Sequence, residues 1–87
     1  MRTTRIGTFT VNRRFFERLD VDEGTNLFHR MVVLRAETEW NTGNTRYFAI
    51  HPQFDRTSLG DLTPEYEAVF DAGEVYPRWV RKQNGAA

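Results

Sequence analysis

Between Phe28 and His51, apolar and polar side chains alternate on either side of Thr42-Gly43-Asn44, a period-two pattern that an extended hairpin sorts onto separate faces. With those three residues as the loop, and Asn44 tolerating the left-handed backbone such loops need, Trp40 stands opposite Arg46, Thr38 opposite Phe48 and Ala36 opposite Ile50. Leu34 and Val32 extend that face, while Arg35, Glu37, Glu39, Tyr47 and His51 fall on the other. One apolar and one polar face suits a half-exposed antiparallel sheet, and a one-residue slip would mix them. Phe48 and Ile50 are therefore expected in the core. Met31–Leu34, apolar on both faces, is expected to be covered on both sides.

Shorter elements surround this hairpin. Residues 5–11, with Ile6, Phe9 and Val11, read as a strand, after which Asn12 can cap a short helix over 13–19 that shows Phe15, Phe16 and Leu19 on one face. Asp22-Glu-Gly-Thr-Asn26 has turn chemistry, and 52–63 reads as a long irregular connection. Thr63-Pro64-Glu65 is an acceptable helix start. A hairpin nevertheless explains both flanking segments at once, pairing Phe70 with Val75, Ala68 with Pro77, Tyr66 with Trp79 and, on the opposite face, Glu67 with Arg78. Pro77 assigns the strand at 75–82 to an edge or bulge. Residues 83–87 read as a frayed tail. The expected fold is α+β: one domain over 1–87, mainly an antiparallel sheet of four to five strands with a short helix packed on one face.

An 87-residue chain without cysteine has no disulfide and no thiolate zinc site to support it, so packing must do so. Seven Phe, three Tyr and two Trp supply the large buried areas. The absence of cysteine fits a reducing compartment. No apolar run approaches the ~20 residues of a membrane span, and the first residues lack the apolar stretch of a signal peptide. A cytoplasmic protein without membrane contact is expected.

No set of residues has the spacing of a catalytic or metal site. Ser58, the only serine, lies in a loop with no Gly-x-Ser-x-Gly elbow. His29 and His51 belong to no ligand motif and read as structural or surface histidines. Glu37 and Glu39, about 7 Å apart on one strand face, have the separation of an inverting glycosidase pair. Any strand with alternating glutamates shares that separation, so a solvated face is the plainer reading. Glu65 and Glu67 read the same way. Neither glycine-rich phosphate loop occurs. No enzyme activity, cofactor or metal is expected.

Charge is balanced at twelve basic and twelve acidic residues, which argues against a strong nonspecific polyanion binder and permits self-association. The balance is uneven along the chain. Residues 1–18 carry five Arg against one Glu, and 78–82 carry three cations. In Arg13-Arg-Phe-Phe16 and Arg78-Trp-Val-Arg-Lys82 the cations interleave with aromatics, as in nucleic-acid surfaces. Trp, Tyr and Arg also dominate protein interfaces. Trp40, beside the hairpin turn, is expected to be only partly covered, with Arg46 over its ring and Tyr47 emerging beside it, whereas Trp79 is expected in the core. The reading is a non-enzymatic binding module acting on another protein, an adaptor or inhibitor of the kind that phages and mobile elements carry. Its expected contact residues are Trp40, Arg46, Tyr47, Arg13, Arg14, Arg78 and Arg81. The alternative is a nucleic-acid-binding accessory protein using 1–18 and 78–82. Monomer and homodimer both remain open, the latter by strand addition at an exposed edge.

Overall fold

A computed structural model describes residues 3–58 and 60–82. In chain order its elements are β1 (Thr3–Thr4), β2 (Ile6–Asn12), α1 (Arg13–Arg18), α2 (Val21–Asn26), β3 (Val32–Glu39), β4 (Asn44–Ile50), β5 (Thr57–Ser58), β6 (Tyr66–Val69) and β7 (Arg78–Arg81). The α+β class is as expected. The strands are shorter and more numerous than four or five, and a second helix replaces the turn read at 22–26, with the Gly24 amide donating to the Asp20 carbonyl at 3.0 Å. The fraying expected of 83–87 lies outside the described residues. No helix among the described residues is long and apolar enough to cross a membrane.

Strand β2 holds the centre. Along one edge it pairs antiparallel with β4, from Ile6 opposite Ile50 to Asn12 opposite Asn44. Along its other edge the Thr8 amide donates to the Pro64 carbonyl at 2.9 Å, and Thr8 bridges Glu65 in the parallel sense. The β6–β7 hairpin is thereby joined to the three-stranded sheet β2–β4–β3. Phe9 and Val11 point from β2 into the core, and Phe9 packs on Trp79 at 4.7 Å and Tyr47 at 5.1 Å between ring centroids. Two fully buried members, Leu27 and Phe54, come from connections between strands. Phe54 stacks on Tyr66 at 4.3 Å, and the Tyr66 hydroxyl accepts from the Asp55 amide at 2.7 Å. The stretch 52–56, read as an irregular connection, thus supplies a core ring.

The cap at Asn12 forms as expected, its side chain accepting from the Arg14 amide at 2.8 Å, and Phe15 and Phe16 lean half-buried against the core. The β3–β4 hairpin also forms, in a different register. Thr38 opposes Thr45, Glu37 opposes Arg46 and Ala36 opposes Tyr47, three residues away from the expected pairing. The loop is Trp40–Gly43, and Gly43, at φ +74°, adopts the left-handed backbone expected of Asn44. An odd shift exchanges faces. Tyr47 and Ala49 turn inward against β2, while Phe48 and Ile50 face out and are half-buried. The choice is made on the other edge of β4, where β2 offers Phe9 as the partner of Tyr47. A bulge between Val33 and Arg35 breaks the alternation of β3, all of which is exposed. The double-sided cover expected for Met31–Leu34 is absent, with Val32 58% and Leu34 53% exposed.

For 66–82 the hairpin reading holds and the helix start at 63–65 is not used. The register differs by two: Ala68 opposes Trp79 and Tyr66 opposes Arg81. An even shift preserves faces, so Tyr66, Ala68 and Trp79 still share the inner side, and Trp79 is buried as expected. Glu67 opposes Val80, and Arg78 instead reaches Asp71 through two hydrogen bonds of 3.0 and 3.3 Å. Strand β7 starts after Pro77, which is buried, and the Trp79 amide is satisfied by Gln53 Oε1 at 3.0 Å.

The layers meet at Gly7. A Cβ there would lie 2.6 Å from the Tyr66 ring and 2.9 Å from the Phe54 ring, closer than side chains pack. Gly7→Ala is expected to destabilise the protein by about 1–3 kcal/mol through overpacking. Gly24→Ala meets nothing within 4 Å in α2 and is expected to gain about 0.5–1 kcal/mol. Urea denaturation of both variants checks the pair; equal responses would contradict the close approach.

Candidate functional site

Helix α1 is stitched to the β3–β4 turn by its own N-terminus. The Arg13 amide donates to the Gly43 carbonyl at 3.0 Å, and Asn12 Nδ2 donates to Asn44 Oδ1 at 2.6 Å and to the Thr42 carbonyl at 3.3 Å. These bonds hold the helix beside the hairpin and leave a groove of about 460 Å³ between them. Val11, Phe16, Thr38 and Thr45 line it, and Trp40, 91% exposed, stands at one wall. Arg13, Glu17, Glu39 and Gly43 complete the lining. Arg13 Nε pairs with Glu17 at 3.2 Å, and the Thr42 hydroxyl donates to Glu39 at 3.3 Å.

The seven side chains expected to contact a partner do not form one surface. Trp40 and Arg13 meet in the groove, and Arg14 is exposed on the first turn of α1. Arg46 does not cover Trp40. It stands opposite Glu37 on the outer face, 5.6 Å from the Phe48 ring centroid, and Arg35 covers the same ring at 4.4 Å. Tyr47 is not on the polar face; it stacks on Phe9 and meets Phe28 edge-on at 5.3 Å. Arg78 and Arg81 lie on β7, paired with Asp71 and Asp55 at 3.0 Å each. The Arg78 guanidinium holds the Asp71 carboxyl below its usual range. Phe16 is the groove residue that sequence reasoning assigned to the core. Its place at the end of a half-buried helical stripe was visible, but the opening beside it depends on where the hairpin turn docks.

The groups considered for chemistry have structural surroundings. His51 is buried, with Nε2 facing the His29 carbonyl at 3.1 Å and Nδ1 accepting from the Gln53 amide at 3.0 Å. It does not face Arg35, as the expected register had it. That arrangement requires a neutral ring, and burial lowers its pKa, opposed in part by the hydrogen bond to His29. Ser58 lies in β5 opposite Thr3. Glu37 is paired with Arg35 at 2.7 Å on an exposed strand. Among the described residues no three His, Asp or Glu side chains are grouped to hold a metal ion.

Compared with protein families, curated proteins and solved structures, the chain matches none.

His51 makes folding pH-dependent. The unfolded imidazole takes up its proton near 6.5 and the folded one only at lower pH. Stability is thus full above 6.5 and is lost as pH falls through the lowered folded value. Urea midpoints measured from pH 7.5 to pH 5 are expected to fall, and His51→Gln is expected to flatten the fall; an unchanged slope in the variant would contradict the assignment.

Proposed function

We propose that the chain is a non-enzymatic binding module that engages another protein through the groove between α1 and the hairpin tip. One observation carries the reading: Trp40 is 91% exposed at the wall of a groove where Val11 and Phe16 lie among threonine and charged side chains. An indole held in water beside an opening lined by Val11 and Phe16 favours a partner's apolar side chain that covers all three, and Trp and Arg are the residue types that supply most interface energy when so covered. The module acts by occupying its partner's surface, as an adaptor or inhibitor does, and the lack of cysteine fits an encounter in a reducing compartment.

The ion pairs favour a protein over a polyanion. Arg13, Arg78, Arg81 and Lys82 each lie within 4.0 Å of a carboxylate of the same chain. Recruiting them to phosphates would first require leaving those partners, which weakens the nonspecific electrostatic attraction that nucleic-acid binding depends on.

Affinity capture from host lysate, with and without nuclease, tests the reading. Wild-type protein is expected to retain a nuclease-resistant protein partner and Trp40→Ala to lose it while folding normally. Trp79→Ala, by contrast, is expected to cost about 3–5 kcal/mol of stability as a core truncation. Capture abolished by nuclease, or unchanged by Trp40→Ala, would reject the groove as a protein site.

A further inference from the structure

We infer that β3 is a homodimer edge, pairing antiparallel with β3 of a second copy about a two-fold axis through Ala36. Strand β3 bonds to β4 on one side only, and no described strand pairs with its other edge. That edge offers a second chain a row of backbone donors and acceptors. Natural edges are commonly blunted by charges that would meet like charges or apolar groups on an approaching strand. The charges here are Arg35, Glu37 and Glu39, on one face of the strand.

Self-pairing in a continuous sheet keeps that face common to both copies, so the axis must pass through a residue. Centred on Arg35, two guanidinium groups meet. Centred on Glu37, two carboxylates meet, and centred on Thr38, Glu37 meets Glu39 of the other copy. Centred on Ala36, Arg35 of each copy opposes Glu37 of the other, twice over by symmetry, and no like charges are opposed. The two side chains already lie within 2.7 Å of each other inside one copy, on the exposed face. The same register brings the exposed apolar end Val32–Leu34 of one copy alongside the exposed Trp40 end of the other. The occupant is therefore a second copy of this chain: from Arg35 to Glu37 the edge is complementary in charge to its own inverse. The run from Arg35 to Glu39 lies beyond the bulge and pairs with β4 without interruption, so residues 35–37 of the two copies meet as regular strand, and the product is a six-stranded sheet, β2–β4–β3 followed by its symmetry mate.

The inference goes beyond the groove reading, and a charge exchange separates the two, because Arg35 and Glu37 do not line the groove. Light scattering over a concentration series is expected to give twice the chain mass for the wild type. Arg35→Glu opposes two carboxylates and Glu37→Arg opposes two guanidinium groups, so each variant alone is expected to remain monomeric at least tenfold beyond the concentration at which the wild type dimerises. Mixed in equal amounts, the two variants are expected to recover the dimer mass, and the double variant Arg35→Glu/Glu37→Arg to dimerise by itself. Recovery on mixing also shows that both variants fold. A wild type of constant monomer mass, single variants that dimerise like the wild type, or a mixture and double variant that both stay monomeric would each overturn the inference.

Discussion

The fold depends on how closely an aromatic layer approaches the backbone of β2. Gly7 presents no side chain, and the rings of Tyr66 and Phe54 occupy the space a methyl group would need. Two residues on, Phe9 fills the next inward position and gathers Tyr47, Phe28 and Trp79 around it. A bare position next to a large one on the same strand face lets the β6–β7 hairpin descend over one half of β2 while rings from β4 and the α2–β3 connection cover the other half. The Thr8 amide bond to Pro64 holds the hairpin at that distance. Without disulfides, stability has to come from this kind of dense aromatic packing, in which each ring adds both buried area and a specific contact geometry.

Charge has a different part. The ion pairs given by the structure are mostly between exposed side chains, the class that contributes little to stability. On the surface they engage Arg13 of the first basic segment and Arg78, Arg81 and Lys82 of the second. Two surface features bear on binding, the Trp40 groove and the bare edge of β3. They adjoin at the hairpin turn, where Glu39 and Trp40 belong to the groove and stand at the end of the edge strand.

Local chemistry was legible where a neighbour in sequence decides the outcome. Asn12 has its cap partner two residues away, Phe15 and Phe16 share a helical stripe, and the turn residues between Val69 and Arg78 fold the chain back regardless of what covers it. The burial of Trp79 and the exposure of Trp40 were legible too. The first survived a register error of two residues because a strand's faces repeat with that period, and the second because a turn residue has no sheet neighbour to cover it. The clustering of Trp40 with Phe16 was not legible, since it needs α1 docked on Gly43 across about thirty positions of chain.

The amino-acid sequence by itself determined an α+β chain of short antiparallel strands, a capped helix after the first long strand, two hairpins and their approximate ends. Tertiary structure decided which face of the central hairpin is the inside. Tyr47 and Phe48 are adjacent aromatic residues, and either face of β4 can be written as the apolar one. The sequence of the β3–β4 hairpin favours the Phe48 face, because its alternation was weighed between two strands alone. In the folded protein β4 lies between β2 and β3, and the face it turns inward is set by Gly7, Phe9 and Val11, some forty residues away in the chain. Period-two alternation identifies a strand, but a strand with neighbours on both edges takes its orientation from whichever neighbour buries more area, and that comparison exists only once all three are assembled.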